Sequence, residues 1–210
     1  MSKNYMGIVD HYENCFEQHG DTAKGVDWPN ENDANRRYQV MLEVIKASEK
    51  FEKEISLLDF GCGTASLNSY IKLNKYSPIK YSGLDLGSNF LNAAKKKFPS
   101  CDFYNTDILE PNSSLPTFDY IIANGVFTEK RELSFDEMVE YFKKMILALK
   151  PFYNKGLAFN VMSKAVDWER WDLFHLPTDL LIEFLVQRVG RNFIIRNDYG
   201  LYEYTVYLYK

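Results

Sequence analysis

Residues 57–67 read LLDFGCGTASL. An apolar run from Ile55 to Leu58 meets an acid, Asp59, and then Gly61 and Gly63 with one residue between them. Without a Cβ, glycine reaches backbone conformations closed to other residues and lets another group approach the main chain. A helix predicted from Thr64 points its first amides at the same spot. The stretch is therefore a strand, a tight turn and a helix start. The turn serves either only to reverse the chain or to hold something against its backbone.

The pattern repeats on the C-terminal side. Apolar runs at Ile79–Leu84, Cys101–Tyr104, Phe118–Ala123 and Gly156–Val161 predict further strands. Helices are expected at Ser88–Phe98, with Ser88 as cap, at Phe135–Leu149, stopped by Pro151, and at Thr178–Val189. From Phe193 to Tyr209 the chain reads as two strands joined at Asn197–Gly200, and the second arm alternates at period two. Alternating strands and helices with strands this apolar predict an α/β fold, Rossmann-like and doubly wound. Its mostly parallel, seven-stranded sheet carries an antiparallel strand near one edge. On the N-terminal side, residues 1–32 are polar and dotted with aromatics, which predicts a helical or irregular cap on a main domain of residues 33–210. Asn32 or Asp33 is a candidate cap for a helix carrying Tyr38, Met41, Leu42 and Ile45.

The 210 residues are 46% hydrophobic and 26% charged, enough for one packed core. The net charge of -4 and the lack of a basic stripe argue against nucleic acid. The start, MSKNYMGIVD, lacks the apolar run of a secretory leader, and no window approaches the roughly 18 apolar residues of a membrane span. Cys15, Cys62 and Cys101 are far apart and form no CxxC pair, so neither a disulfide nor a bound metal is expected, and a reducing cytoplasm fits.

In an open parallel sheet, ligands bind beyond the carboxyl ends of the strands. Three ligand classes compete for the turn after the first strand. A P-loop needs a lysine that does not follow Gly63, and a nicotinamide fingerprint would place Ser66 at its third glycine. DFGCGT resembles motif I of the class I S-adenosylmethionine-dependent methyltransferases, (D/E)xGxGxG, with Ala65 at the last glycine. Other stretches follow in the family's order: YSGLDL, FYNTDI, FDYIIANGVF and the terminal NDYGLYEYTVYLYK, so the resemblance spans roughly residues 36–210.

The resemblance implies a site. Asp59, Gly61, Cys62 and Gly63 would form the cofactor turn, and Asp85 and Leu86 would meet the ribose, a diol that one carboxylate can bind twice. Asp107 and Ile108 would meet the adenine, and Asn124 and Gly125 would lie over the methionine part. Each acid has a plainer reading as a helix cap or surface group, and Cys62 reads better as a small buried filler than as a nucleophile. The segment GVDWPNENDANRRYQVML is similar to one in bacterial small-molecule members of the family. It implies cofactor roles for Trp28 and Arg37, Arg37 either pairing with the cofactor carboxylate or holding the cap by an ion pair.

For the acceptor side, His175 and His11 are the candidate bases, and Tyr12, Asp167 and Trp168 are candidate substrate contacts. No (N/D)PP(Y/F) motif of DNA-base enzymes follows the fourth strand. The resemblance implies transfer of a methyl group from S-adenosylmethionine, leaving S-adenosylhomocysteine, to a small-molecule acceptor. Oxygen on a saccharide or biosynthetic metabolite is the expected target. A binding protein that kept the pocket but lost turnover, and a nicotinamide-dependent oxidoreductase, are the rival readings. The sequence leaves the oligomeric state open.

Overall fold

The computed structural model describes residues 4–22, 24–26, 31–46, 54–76 and 78–210. Trp28 lies outside them. β1 (Ile55–Phe60), β2 (Ile79–Leu84), β3 (Asp102–Tyr104), β4 (Phe118–Phe127), β5 (Tyr153–Ser163), β6 (His175–Leu176), β7 (Phe193–Arg196) and β8 (Glu203–Tyr209) form one sheet. Its path is β3-β2-β1-β4-β5-β8-β7, which contains the seven expected strands. The two-residue β6 was not anticipated; it pairs in parallel with the far end of β5. β8 runs antiparallel between β5 and β7, so the terminal hairpin is built into the sheet.

Among the described residues six α-helices surround the sheet: α1 (Met6–His19), α2 (Glu31–Leu42), α3 (Ser66–Leu73), α4 (Ser88–Lys97), α5 (Phe135–Leu149) and α6 (Thr178–Phe184). Successive strand residues point to opposite faces, and two apolar layers result. Leu58, Ile121 and Phe159 join Phe142 and Ile146 of α5 and Phe184 of α6 on one face. Leu57, Ile122 and Ala158 join Met41 of α2, Ile71 of α3 and Ala94 of α4 on the other. Every residue of β8 from Glu203 to Leu208 is buried, so its period-two pattern marks two covered faces and not one wet face.

Local chemistry moves several boundaries. α5 starts at the expected place because Ser134 and Glu137 form a reciprocal capping box. Ser88 does not cap α4; it lies inside the helix, and the amide of Asn89 donates instead to Glu13 Oε1 of α1 at 3.2 Å. Asn32 and Asp33 fall within the first turn of α2. α3 begins two residues later than Thr64 because Ala65 holds a left-handed backbone, φ 61°. No described helix is long and apolar enough to cross a membrane.

Candidate functional site

The carboxyl ends of β1, β2 and β4 open into one cavity, which α1 covers. At the end of β1, Asp59 is buried and accepts a hydrogen bond from the Tyr81 hydroxyl at 2.7 Å. Burial, reinforced by the nearby Asp85, pushes its carboxyl up to about 7, and the Tyr81 bond opposes the rise.

The turn that follows requires its glycines. Gly61 has φ +76°, and a Cβ there would stand 2.6 Å from Val126 Cγ2. Gly63 has φ +51°, and its amide donates to Asp85 Oδ2 at 2.8 Å. The Cys62 thiol is buried, and burial and the neighbouring carboxylates push it well up, so it is not a nucleophile.

Asp85 also accepts from the Gly87 amide on Oδ1, at 2.8 Å. Burial pushes its carboxyl up, and the two amides hold it back. A carboxylate offers about four acceptor positions, so these bonds leave Asp85 able to take a diol. Asp107 accepts from the Leu109 amide at 3.0 Å and from the Tyr5 hydroxyl at 2.5 Å. Asn124 lies on the cavity wall, 9% exposed, and neither its Oδ1 nor its Nδ2 has a partner among the described residues. Buried polar atoms are rarely left so. A ligand presenting both a donor and an acceptor would satisfy them.

The cavity therefore joins ten of the anticipated positions: Asp59, Gly61, Cys62, Gly63, Asp85, Leu86, Asp107, Ile108, Asn124 and Gly125. Tyr12 is in the wall as well. Arg37 is not. Its Nε donates to both carboxylate oxygens of Glu203, at 3.0 and 2.9 Å, an ion pair that is largely buried and made with β8, where the expected one held the N-terminal cap. His175 does not reach the cavity either; its Nδ1 is 2.7 Å from the Ser163 carbonyl oxygen, and its Nε2 is buried without a partner among the described residues. Asp167 is exposed and Trp168 is 70% exposed, and neither lines the cavity. His11 sits beside Tyr12 on α1, its Nε2 3.8 Å from Oε2 of the buried Glu129.

The roof comes from the N-terminal cap, and of its described lining residues only Tyr12 stood among the anticipated site residues. Tyr5, Ile8 and Val9 line the cavity with Tyr12, and Tyr5 stacks on Tyr141 of α5 with centroids 4.9 Å apart. The signal was present: Tyr5, Ile8, Val9, Tyr12 and Phe16 follow helical spacing.

The order β3-β2-β1-β4-β5-β8-β7, with β8 inserted antiparallel and a glycine turn after β1, is the arrangement of the class I methyltransferases. Residues 58–151 match the family model described as a methyltransferase domain. The chain is 23% identical over 174 residues to Rv1506c of Mycobacterium tuberculosis (strain H37Rv), which carries a methyltransferase name. The match covers 80% of this chain and 99% of that one. Among solved structures it is similar to magnesium protoporphyrin IX methyltransferase from Synechocystis PCC 6803 with bound S-adenosylhomocysteine. That match has TM-score 0.69 and 13% identity and covers 99% and 100% of the two chains. It is also similar to the plantazolicin methyltransferase BpumL in complex with a pentazolic desmethylPZN analog and S-adenosylhomocysteine, with TM-score 0.55, 13% identity and 100% and 99% coverage. The chain thus has the fold of the class I S-adenosylmethionine-dependent methyltransferases, and its residues 58–151 match a methyltransferase domain.

Proposed function

We propose that this chain is an S-adenosylmethionine-dependent methyltransferase acting on an oxygen of a small-molecule acceptor, a saccharide or a biosynthetic metabolite, held between α1 and the carboxyl ends of β1 and β4. The observation that carries the reading is the enclosure. Tyr5, Ile8, Val9 and Tyr12 roof the same cavity whose floor contains the glycine turn and Asn124. A cavity closed by an aromatic helix suits a metabolite better than a nucleic-acid strand, and the net charge of -4 agrees. Two similar structures are named for a porphyrin and for plantazolicin, which supports the same reading.

In this proposal the backbone of Gly61, Cys62 and Gly63 and the side chain of Asp59 flank the cofactor, Asp85 and Leu86 hold its ribose, and Asp107 and Ile108 hold its adenine. Asn124 and Gly125 meet its amino-acid end. When bound, S-adenosylmethionine supplies an electrophilic methyl group on a sulfonium. The chain supplies alignment for an in-line displacement. A hydroxyl acceptor must also lose a proton. Neither candidate histidine lines the cavity; His11, beside the lining Tyr12 on α1 and with Nε2 3.8 Å from Oε2 of Glu129, is the proposed base.

Thermal unfolding with S-adenosylhomocysteine, S-adenosylmethionine and NAD, added separately, tests the cofactor site. A ligand at about 100 times its Kd adds about 2.7 kcal/mol, a rise of about 5–10 °C for a chain this long. Only the two sulfur cofactors should raise the transition. Labelled methyl donor with fractionated metabolites then tests the acceptor: an alkali-stable ether product supports oxygen. Label on nitrogen would refute that part, and a shift with NAD alone would refute the whole.

A further inference from the structure

The wall at Asn124 and Gly125 is held by side chains from other elements. The β4–β5 register is interrupted between Ala123 and Phe127, and Gly125 has φ +81°. There its amide donates to Asn160 Oδ1 of β5 at 2.8 Å, and its carbonyl accepts from Thr128 Oγ1 at 2.9 Å. Asn160 is fully buried, and its Nδ2 donates to Glu203 Oε1 of β8 at 3.1 Å. Glu203, 1% exposed, takes Arg37 Nε of α2 on both oxygens. Four elements are thereby tied through polar groups in the interior.

Such a network is a poor way to gain stability, because apolar residues of similar volume often do as well or better in a buried position. What it does provide is a fixed geometry at one peptide. That peptide carries Asn124, which lines the cavity and whose buried side-chain amide has no partner among the described residues. The amino-acid end of the cofactor, an ammonium and a carboxylate, presents both a donor and an acceptor. We infer that Arg37, Glu203 and Asn160 form a positioning relay that fixes the Asn124–Gly125 peptide and thereby sets the affinity for the amino-acid end of the cofactor. The inference rests on the cofactor contacts proposed above.

The test compares two ligands by calorimetry: S-adenosylhomocysteine and 5′-methylthioadenosine, which keeps the adenosine and thioether but lacks the amino-acid end. Glu203→Gln retains shape and removes the charge that orients Asn160 and Arg37. It should weaken S-adenosylhomocysteine by about tenfold, the scale of one charged hydrogen bond, and leave 5′-methylthioadenosine within about twofold. Arg37→Lys, at the rim of the network with a side chain 13% exposed, gives the same ratio by a route that does not depend on the Glu203 variant folding. Parallel weakening of both ligands, or no change in either, would overturn the relay. Failure of the unaltered protein to bind either ligand would overturn the cofactor contacts themselves, and the relay with them.

Discussion

Asp59→Asn should change how stability depends on pH, in a direction fixed by where the carboxyl sits. The side chain is 4% exposed and titrates near 7, against an ordinary value of 3.8. Its folded-state pKa is raised, so between those values the folded chain holds a proton that the unfolded chain has released. Stability therefore falls as pH climbs through this window and levels off above about 7. Each pH unit inside the window is worth about 1.36 kcal/mol, so the two units from pH 5 to 7 amount to about 2.7 kcal/mol. For a chain of this length that is about 5–10 °C in Tm. Asparagine retains an oxygen for the Tyr81 hydroxyl and cannot ionise. Thermal melts of both proteins at pH 5, 6, 7 and 8 isolate the effect, because the other titrating groups are common to the pair. The variant should gain on the wild type by that amount between pH 5 and 7 and gain nothing further to pH 8. A constant gap across the series would refute the claim that Asp59 is neutral in the folded protein below pH 7.

Three further outcomes are expected. Gly61→Ala places a methyl against Val126 on a backbone of φ +76°; it should cost at least about 1–2 kcal/mol in denaturant unfolding and abolish the thermal shift with S-adenosylhomocysteine. Tyr5→Phe removes the hydroxyl that occupies Asp107, so the protein should lose about 1 kcal/mol without ligand yet bind S-adenosylhomocysteine several-fold more tightly by calorimetry. Unchanged or weaker binding would show that Tyr5 does not compete for that carboxylate. Ser134→Ala breaks the capping box of α5, far in sequence from the glycine turn, and should lower stability by about 1 kcal/mol with no change in ligand affinity.

The parts of the site that follow one another in sequence were legible before any coordinates. Asp59, Gly61 and Gly63 announce themselves because an acid and two glycines at a strand end have few other uses, and Asp85 and Asp107 recur at the next strand ends. The helix at Phe135–Leu149 was legible because Ser134 and Glu137 are local partners. What depends on distant residues was not. Nothing near Asn89 says that its amide is capped by Glu13, 76 residues away. Arg37 could be read toward the cofactor or toward an ion pair, and the choice rests on Glu203, 166 residues on. A clue existed even there: Asn160 and Glu203 interrupt apolar strands, and a polar residue in a doubly covered strand needs a buried partner. His175 shows the converse, since its place in a connecting loop suggested an open site, whereas β6 packs it into the sheet.

The carboxylate that α1 lends to α4 ties two events together. Glu13 takes the Asn89 amide, Phe16 lies against Phe90 with centroids 4.7 Å apart, and Asp85 holds the amide of Gly87 just before the same helix. Lifting α1 off the cavity would strip the first turn of α4 of its acceptor next to the place where Asp85 is anchored. Through these contacts the roof and the start of α4 are expected to open together. Exchange of the Asn89 amide with deuterium reports the traffic of the roof, and a ligand that holds the roof down slows an exchange in a helix it need not touch.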